Sequence, residues 1–179
     1  IKEGQIRFWG LSDDTPWGIH TFLSICDEYG FARPISIQNE FNLLHTKDWP
    51  YLIESCVFED IAYLPWSPLA GGMLSGKYLD GARPQGSRWT LAQRMGLFRN
   101  TPHSEAAIKA YSALALDFGM TPSQLAIAWC DQVDGVTSTI IGATTMAQLD
   151  ENIQAFARGL TAEEMEAVNA VWTQYPAPF

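Results

Sequence analysis

Regularly spaced proline and glycine residues constrain this chain's fold more than any other feature of its sequence. Thr15-Pro16, Thr101-Pro102 and Thr121-Pro122 each place a capping hydroxyl before a proline at a first helical position. Thr121 and Gln124, Thr145 and Gln148, and Thr161 and Glu164 have the spacing of capping boxes. Gly30 and Gly119 stand where a helix must stop. These signals predict helices over 15–29, 48–58, 101–118, 121–131, 145–157 and 161–173. In the helix from Thr101, Tyr111, Leu114, Ala115 and Phe118 share one face. Between the helices lie short apolar runs over 6–11, 35–38, 61–66 and 137–141, which read as buried strands.

Strands alternating with helices predict a parallel sheet in an α/β fold. An open doubly wound sheet and a piece of a (β/α)8 barrel both fit. The barrel is favoured because polar, ligand-type residues follow each run: Ser12-Asp13, Gln38-Asn39, Trp66-Ser67 and Gly142 to Thr144. Four strands in 179 residues make half of a (β/α)8 TIM barrel, so the chain is expected to be part of a longer protein. Residues 1–158 read as that half-barrel, and 159–179 as a C-terminal helix and tail.

Hydrophobic residues at 47% and charged residues at 17% supply a sizeable core. A net charge of −9 disfavours nucleic acid and anionic membranes as partners, and no apolar run is long enough to span a bilayer. Cys26, Cys56 and Cys130 are few, scattered and without metal-ligand spacing, which fits a reducing cytoplasm and no metal site.

The stretch from Ser67 to Thr101 is too long for a simple connection and is expected to be functional. Within it Lys77, Arg83, Arg88, Arg94 and Arg99 face a single acid, Asp80, so an anion site is plausible there, as is a solvated basic loop. Gly71 to Tyr78 nearly matches a phosphate-binding P-loop, but Tyr78 replaces the hydroxyl that would hold Mg²⁺. The turn at Gly142, Ala143 and Thr144 lies between a strand and a helix start, a position suited to anions; Thr145 and Gln148 there equally suit a plain helix cap. His20, His45 and His103 are dispersed, no Gly-x-Gly-x-x-Gly occurs, and Asp13-Asp14 cannot flank a scissile bond from both sides. The residues offer binding groups and no acid–base machinery.

Four linked motifs cover almost the whole chain in order. They are Trp9-Gly10-Leu11-Ser12; Ile37-Gln38-Asn39-Glu40-Phe41-Asn42; Trp66 to Gly72 with Ser75-Gly76-Lys77-Tyr78; and Ile141 to Thr145 with Gln148, Leu149, Glu151 and Asn152. Together they resemble the aldo-keto reductases, in the Tas-like bacterial branch related to the potassium-channel β subunits. The resemblance implies strands five to eight, the C-terminal half of that family's barrel, and NADP(H) bound without a Rossmann motif. It would give the nicotinamide carboxamide to Ser12 and Gln38, with Asp13 beside them where the family often has Asn or Arg. Trp66 would stack on the ring. Ser67, Pro68, Leu69, Ala70 and Gly71 would line the pyrophosphate, with Lys77 reaching the phosphates and Arg88 the adenosine end. Gly142, Thr144, Gln148, Glu151 and Asn152 would take the 2′-phosphate and adenine.

The family's catalytic Asp, Tyr, Lys and His lie on the other half of its barrel, and none maps onto this chain. The implied protein is an oxidoreductase reducing an aldehyde or ketone, with this chain as its cofactor-binding half. Its expected partners are a small carbonyl substrate, the missing N-terminal half and a further copy of itself. A redox-sensing regulatory subunit and a P-loop-like nucleotide binder are the alternatives.

Overall fold

The computed structural model describes residues 1–91 and 100–176. Arg94, Phe98 and Arg99 of the basic stretch lie outside the described residues. Three parallel strands form the sheet in the order β1 (Leu11–Ser12), β2 (Ser36–Glu40), β3 (Ala62–Trp66). Helix α1 (Pro16–Tyr29) connects β1 to β2, and α2 (Tyr51–Phe58) connects β2 to β3. After β3 come two 3₁₀ turns, Ala70–Ser75 and Leu79–Gly81, and the short α3 (Arg88–Leu91). Then follow α4 (Pro102–Asp117), α5 (Pro122–Gln132), α6 (Met146–Arg158) and α7 (Ala162–Gln174).

The helix ends follow the capping signals. Thr15, Thr101, Thr121, Thr145 and Thr161 all accept a backbone N–H of the first turn through their side chains. Gly30 closes α1 in the left-handed conformation that its missing Cβ permits. Complete capping boxes form at α5 with Gln124 and at α7 with Glu164. A third forms at α4, where Ser104 supplies the returning hydroxyl, a residue the Glu/Gln pattern does not flag.

Two of the expected strands are not built as read. The run over 6–11 yields only Leu11 and Ser12, while Ile6 and Phe8 stand exposed. Apart from β2, the described residues offer this segment no neighbouring strand, and its middle is held by one backbone bond, from Ile35 N–H to Trp9 O, and by the Trp9 indole N–H on Ala32 O. The run over 137–141 lies along β3 without becoming a strand. Thr137 N–H donates to Tyr63 O at 2.9 Å and Ile140 N–H to Pro65 O at 2.8 Å. The pairing goes no further than an isolated parallel bridge between Tyr63 and Val136, because Tyr63 N–H donates to the Thr137 hydroxyl and Pro65 has no N–H to give. The α/β class with a small parallel sheet stands, with three strands in place of four among the described residues.

The core lies behind the sheet. Ile37 and Asn39 of β2 and Tyr63 and Pro65 of β3 point toward the helices, while Gln38 on the opposite face is exposed. Phe41, just after β2, stacks on Trp129 of α5 with centroids 5.5 Å apart and meets Tyr63 edge-on at 5.9 Å. Helix α5 is buried continuously from Leu125 to Cys130. Full burial of such aromatic and aliphatic side chains is worth roughly 1.5–3 kcal/mol each, which anchors the elements that carry the loops above the sheet.

Candidate functional site

A groove of about 760 Å³ opens at the C-terminal end of β3. Trp66, the last residue of that strand, forms one end of it. The loop after β3 forms one wall, and the turn before α6 with the first two turns of α6 forms the other. This is the end of a parallel sheet at which ligands bind in α/β folds.

The first wall is shaped by its glycines. Gly71 and Gly72 adopt φ of 68° and 95°, and Ser67 and Ala70 are also left-handed, so the backbone folds into a tight cradle instead of a helix. Ser67 Oγ steadies it by accepting the Gly71 N–H at 3.3 Å. A Cβ on Gly72 would stand 2.9 Å from Cε and Nζ of Lys77, and one on Gly71 would sit 3.7 Å from Cδ of Arg88. The absence of a side chain at Gly72 leaves room for the Lys77 ammonium over the loop, whereas a Cβ at Gly71 would meet Arg88 only at ordinary contact distance.

Lys77 and Arg88 are both exposed on the groove, and among the described residues neither pairs with a carboxylate. Asp80, the one acid of this stretch, is engaged by Lys109 of α4 at 2.8 Å. Arg83 is turned away: its guanidinium lies 4.4 Å from the Trp89 ring centroid. Tyr78 stacks on the same Trp89 ring, with centroids 4.5 Å apart. Where a P-loop has a hydroxyl for Mg²⁺, this chain thus has a buried, stacked phenol.

The second wall carries the opening of α6. Gln148 Oε1 accepts from both the backbone N–H and the hydroxyl of Thr144, at 2.8 and 2.9 Å. Gln148 thereby fixes the turn one residue ahead of the N-cap, a shifted version of the expected box. Glu151 accepts a hydrogen bond from the Thr121 hydroxyl at 2.6 Å, tying α6 to the start of α5. Asn152, the seventh residue of α6, is buried at the groove wall. The positive end of the α6 dipole points at the same space.

Of the residues singled out from sequence, Trp66, Ser67, Pro68, Leu69, Gly71, Lys77, Arg88, Gly142, Thr144, Gln148, Glu151 and Asn152 line this one groove. Ala70 is buried beneath the loop and does not line it. Ser12 ends β1, Asp13 follows it and Gln38 is the middle residue of β2; none of the three lines the groove. Ser12 Oγ and Asp13 N–H both donate to Gln38 O at 3.0 Å, and the Trp66 indole N–H donates to Asp13 Oδ1 at 3.3 Å. Behind the sheet, Asp48 Oδ2 accepts from Tyr63 OH and Asn39 Nδ2, each at 2.8 Å. Burial raises the Asp48 carboxyl and the Tyr63 phenol above their ordinary values.

Sequence reasoning missed Ser87, Ser123 and Ile127, which also line the groove. Ser123 sits in the first turn of α5, so the Thr121 capping box was the one available signal for it. Nothing in the sequence singles out Ile127, because no local signal marks a helix face that borders a cavity.

The fold and groove define a class: a parallel α/β chain with an anion-suited, glycine-lined groove at the C-terminal end of its strands. Residues 1–173 match the aldo/keto reductase family, and the chain belongs to that family. It is 37% identical over 180 residues to the protein tas of Escherichia coli strain K12, covering 99% of this chain and 51% of that protein. An aldo-keto reductase of Babesia bovis is 35% identical over 159 residues, covering 86% of this chain and 55% of its own length. A probable voltage-gated potassium channel subunit beta of Arabidopsis thaliana is 33% identical over 159 residues, covering 87% of this chain and 48% of its own. The chain spans about half the length of the curated relatives it matches.

Proposed function

We propose that this chain is the C-terminal, NADP(H)-binding half of an aldo-keto reductase barrel, strands five to eight, in a protein that transfers hydride to an aldehyde or ketone. The observation that carries the reading is a single groove joining an aromatic, a glycine cradle with two cations that pair with no carboxylate among the described residues, and a helix N-terminus. Its polar groups suit a dinucleotide phosphate from one end to the other. Lys77 and the cradle would hold the pyrophosphate, and Arg88 with the opening of α6 the 2′-phosphate, where a guanidinium fork matches phosphate oxygens. Trp66 would present its face to the nicotinamide, with Ser12 and Gln38 on the carboxamide side. The bound cofactor supplies the hydride; the chain's own residues bind and orient it. Acid–base groups for the carbonyl oxygen would come from the other half of the barrel.

The experiment is a pair of dissociation constants, NADPH against NADH, at fixed salt in the full-length protein that carries this chain. Tighter binding of NADPH by about ten- to a hundred-fold, the worth of one charge-assisted hydrogen bond, is the expected result. Equal affinities would refute the 2′-phosphate assignment, and failure of both to bind would refute the cofactor reading. A redox-sensing regulatory subunit is the second reading, favoured by the similarity to the channel β subunits. Aldehyde-dependent NADPH oxidation by the full-length protein selects the enzyme. A bound cofactor without turnover selects the sensor.

A further inference from the structure

We propose that the Asp13 carboxylate tunes the groove toward the oxidised, positively charged form of the nicotinamide cofactor, an inference that rests on the cofactor reading above. The oxidised and reduced cofactors share every phosphate and differ at the ring, which carries a positive charge in one form and none in the other. A carboxylate next to the ring's position therefore discriminates between them.

The geometry supplies such a carboxylate and holds it in place. Asp13 accepts the indole N–H of Trp66, so a negative charge lies at the edge of the ring whose face borders the groove. Its backbone is pinned in the left-handed region at φ 53°, with its N–H on Gln38 O. The next residue is clamped as well. Asp14 N–H donates to Asn39 Oδ1, while Asn39 Nδ2 donates to Asp14 O and to Asp48 Oδ2. Asn39 is buried on β2, so the loop carrying Asp13 is riveted to the sheet. Among the described residues no cation pairs with Asp13.

The charges of the site are sorted along its length. Lys77 and Arg88 sit over the glycine cradle with Glu151 on the facing wall, whereas Asp13, Asp14 and Glu40 stand after β1 and at the end of β2. The Asp13 carboxylate, hydrogen-bonded to the Trp66 indole, attracts a cation placed against that ring.

The test compares dissociation constants for NADP⁺ and NADPH in the full-length protein, wild type and Asp13→Asn. Asparagine tolerates the left-handed backbone and keeps an oxygen acceptor for Trp66, so the substitution removes the charge and leaves the position. The expected result is a fall of about five- to tenfold in NADP⁺ affinity relative to NADPH. An unchanged ratio with both forms still bound overturns the proposal and leaves the cofactor reading intact. Equal loss of both forms also overturns it, making Asp13 a positioning residue for Trp66. Failure of wild type to bind either form defeats the cofactor reading itself. Should Asp13→Asn unfold, the wild-type ratio serves: a relative preference for NADP⁺ that shrinks with added salt supports the charge, and a ratio flat in salt overturns it.

Discussion

Two cavities of the same volume, about 760 Å³, lie on this molecule, and their walls differ in almost every respect. The groove at the end of β3 is built from glycines, hydroxyls, two cations and a helix start. The cleft beside α1 is lined by Trp9, Phe22, Ile25 and Phe31 with the first residues of the chain. There Trp9 meets Phe22 edge-on at 6.2 Å, and its N–H is already spent on Ala32 O. Phe22, Ile25 and Phe31 are at least 40% exposed, so this wall is largely apolar surface, and its polar side chains, Lys2, Glu3 and Gln5, all come from the first residues of the chain. Equal size thus says nothing about what a cavity binds. Directional donors aimed at one space mark a ligand site, and apolar side chains merely adjoining one another do not.

Arg88→Ala gives the largest contrast between the two regions. It should weaken NADPH by about ten- to a hundred-fold while leaving NADH within about twofold, because one charge-assisted bond to the 2′-phosphate is lost. Lys77→Ala should weaken both cofactors alike. An Arg88→Ala variant that binds both normally would move the phosphate end of the site elsewhere, and Arg83, committed to Trp89, is not the ready substitute its sequence position suggests.

Trp66→Ala is expected to cost both cofactors about five- to a hundred-fold in affinity, the worth of one aromatic stack. Its effect on melting temperature should be slight, since Trp66 is only half-buried. Phe22→Ser in the apolar cleft is the matched control and should leave both affinities within about twofold. Fluorescence titration and thermal melts on the same samples read the pair. A stability loss at Trp66 with affinity intact would make it a core residue.

The smallest effect lies away from both cavities, at the corner between α6 and α7. Arg158 makes two hydrogen bonds to Glu164, whose Oε2 also accepts the Thr161 N–H in the capping box. The guanidinium hydrogen bond is the main reason this carboxyl falls from 4.5 to about 2. A lowered carboxyl stabilises the fold above its ordinary value and loses that contribution as pH falls toward about 2. Glu164→Gln should cost about 1 kcal/mol near neutral pH, the scale of a lost cap, and flatten the acid limb of the stability curve. Cofactor affinity should not change. Urea melts at several pH values measure the difference.

The parts of this molecule that the sequence determined by itself are those governed by neighbours along the chain. Threonine before proline, or three residues before Gln or Glu, satisfies orphan amides of the same turn, and the helix starts of α1, α4, α5 and α7 follow from that local chemistry. The motifs at 66–77 and 142–152 were legible for the same reason, since each is a contiguous loop or helix opening. Partners far away in sequence were not. The run over 137–141 has strand composition, yet whether it pairs depends on Pro65 and on the hydroxyl of Thr137 reaching Tyr63, 74 residues away. The short β1, the turning of Arg83 onto Trp89 and the Asp13–Trp66 bond likewise depend on which surfaces the folded chain brings together. Local propensity acts over one turn, whereas a ladder, a stacked ring and a groove wall exist only after distant segments have paid the entropy of meeting.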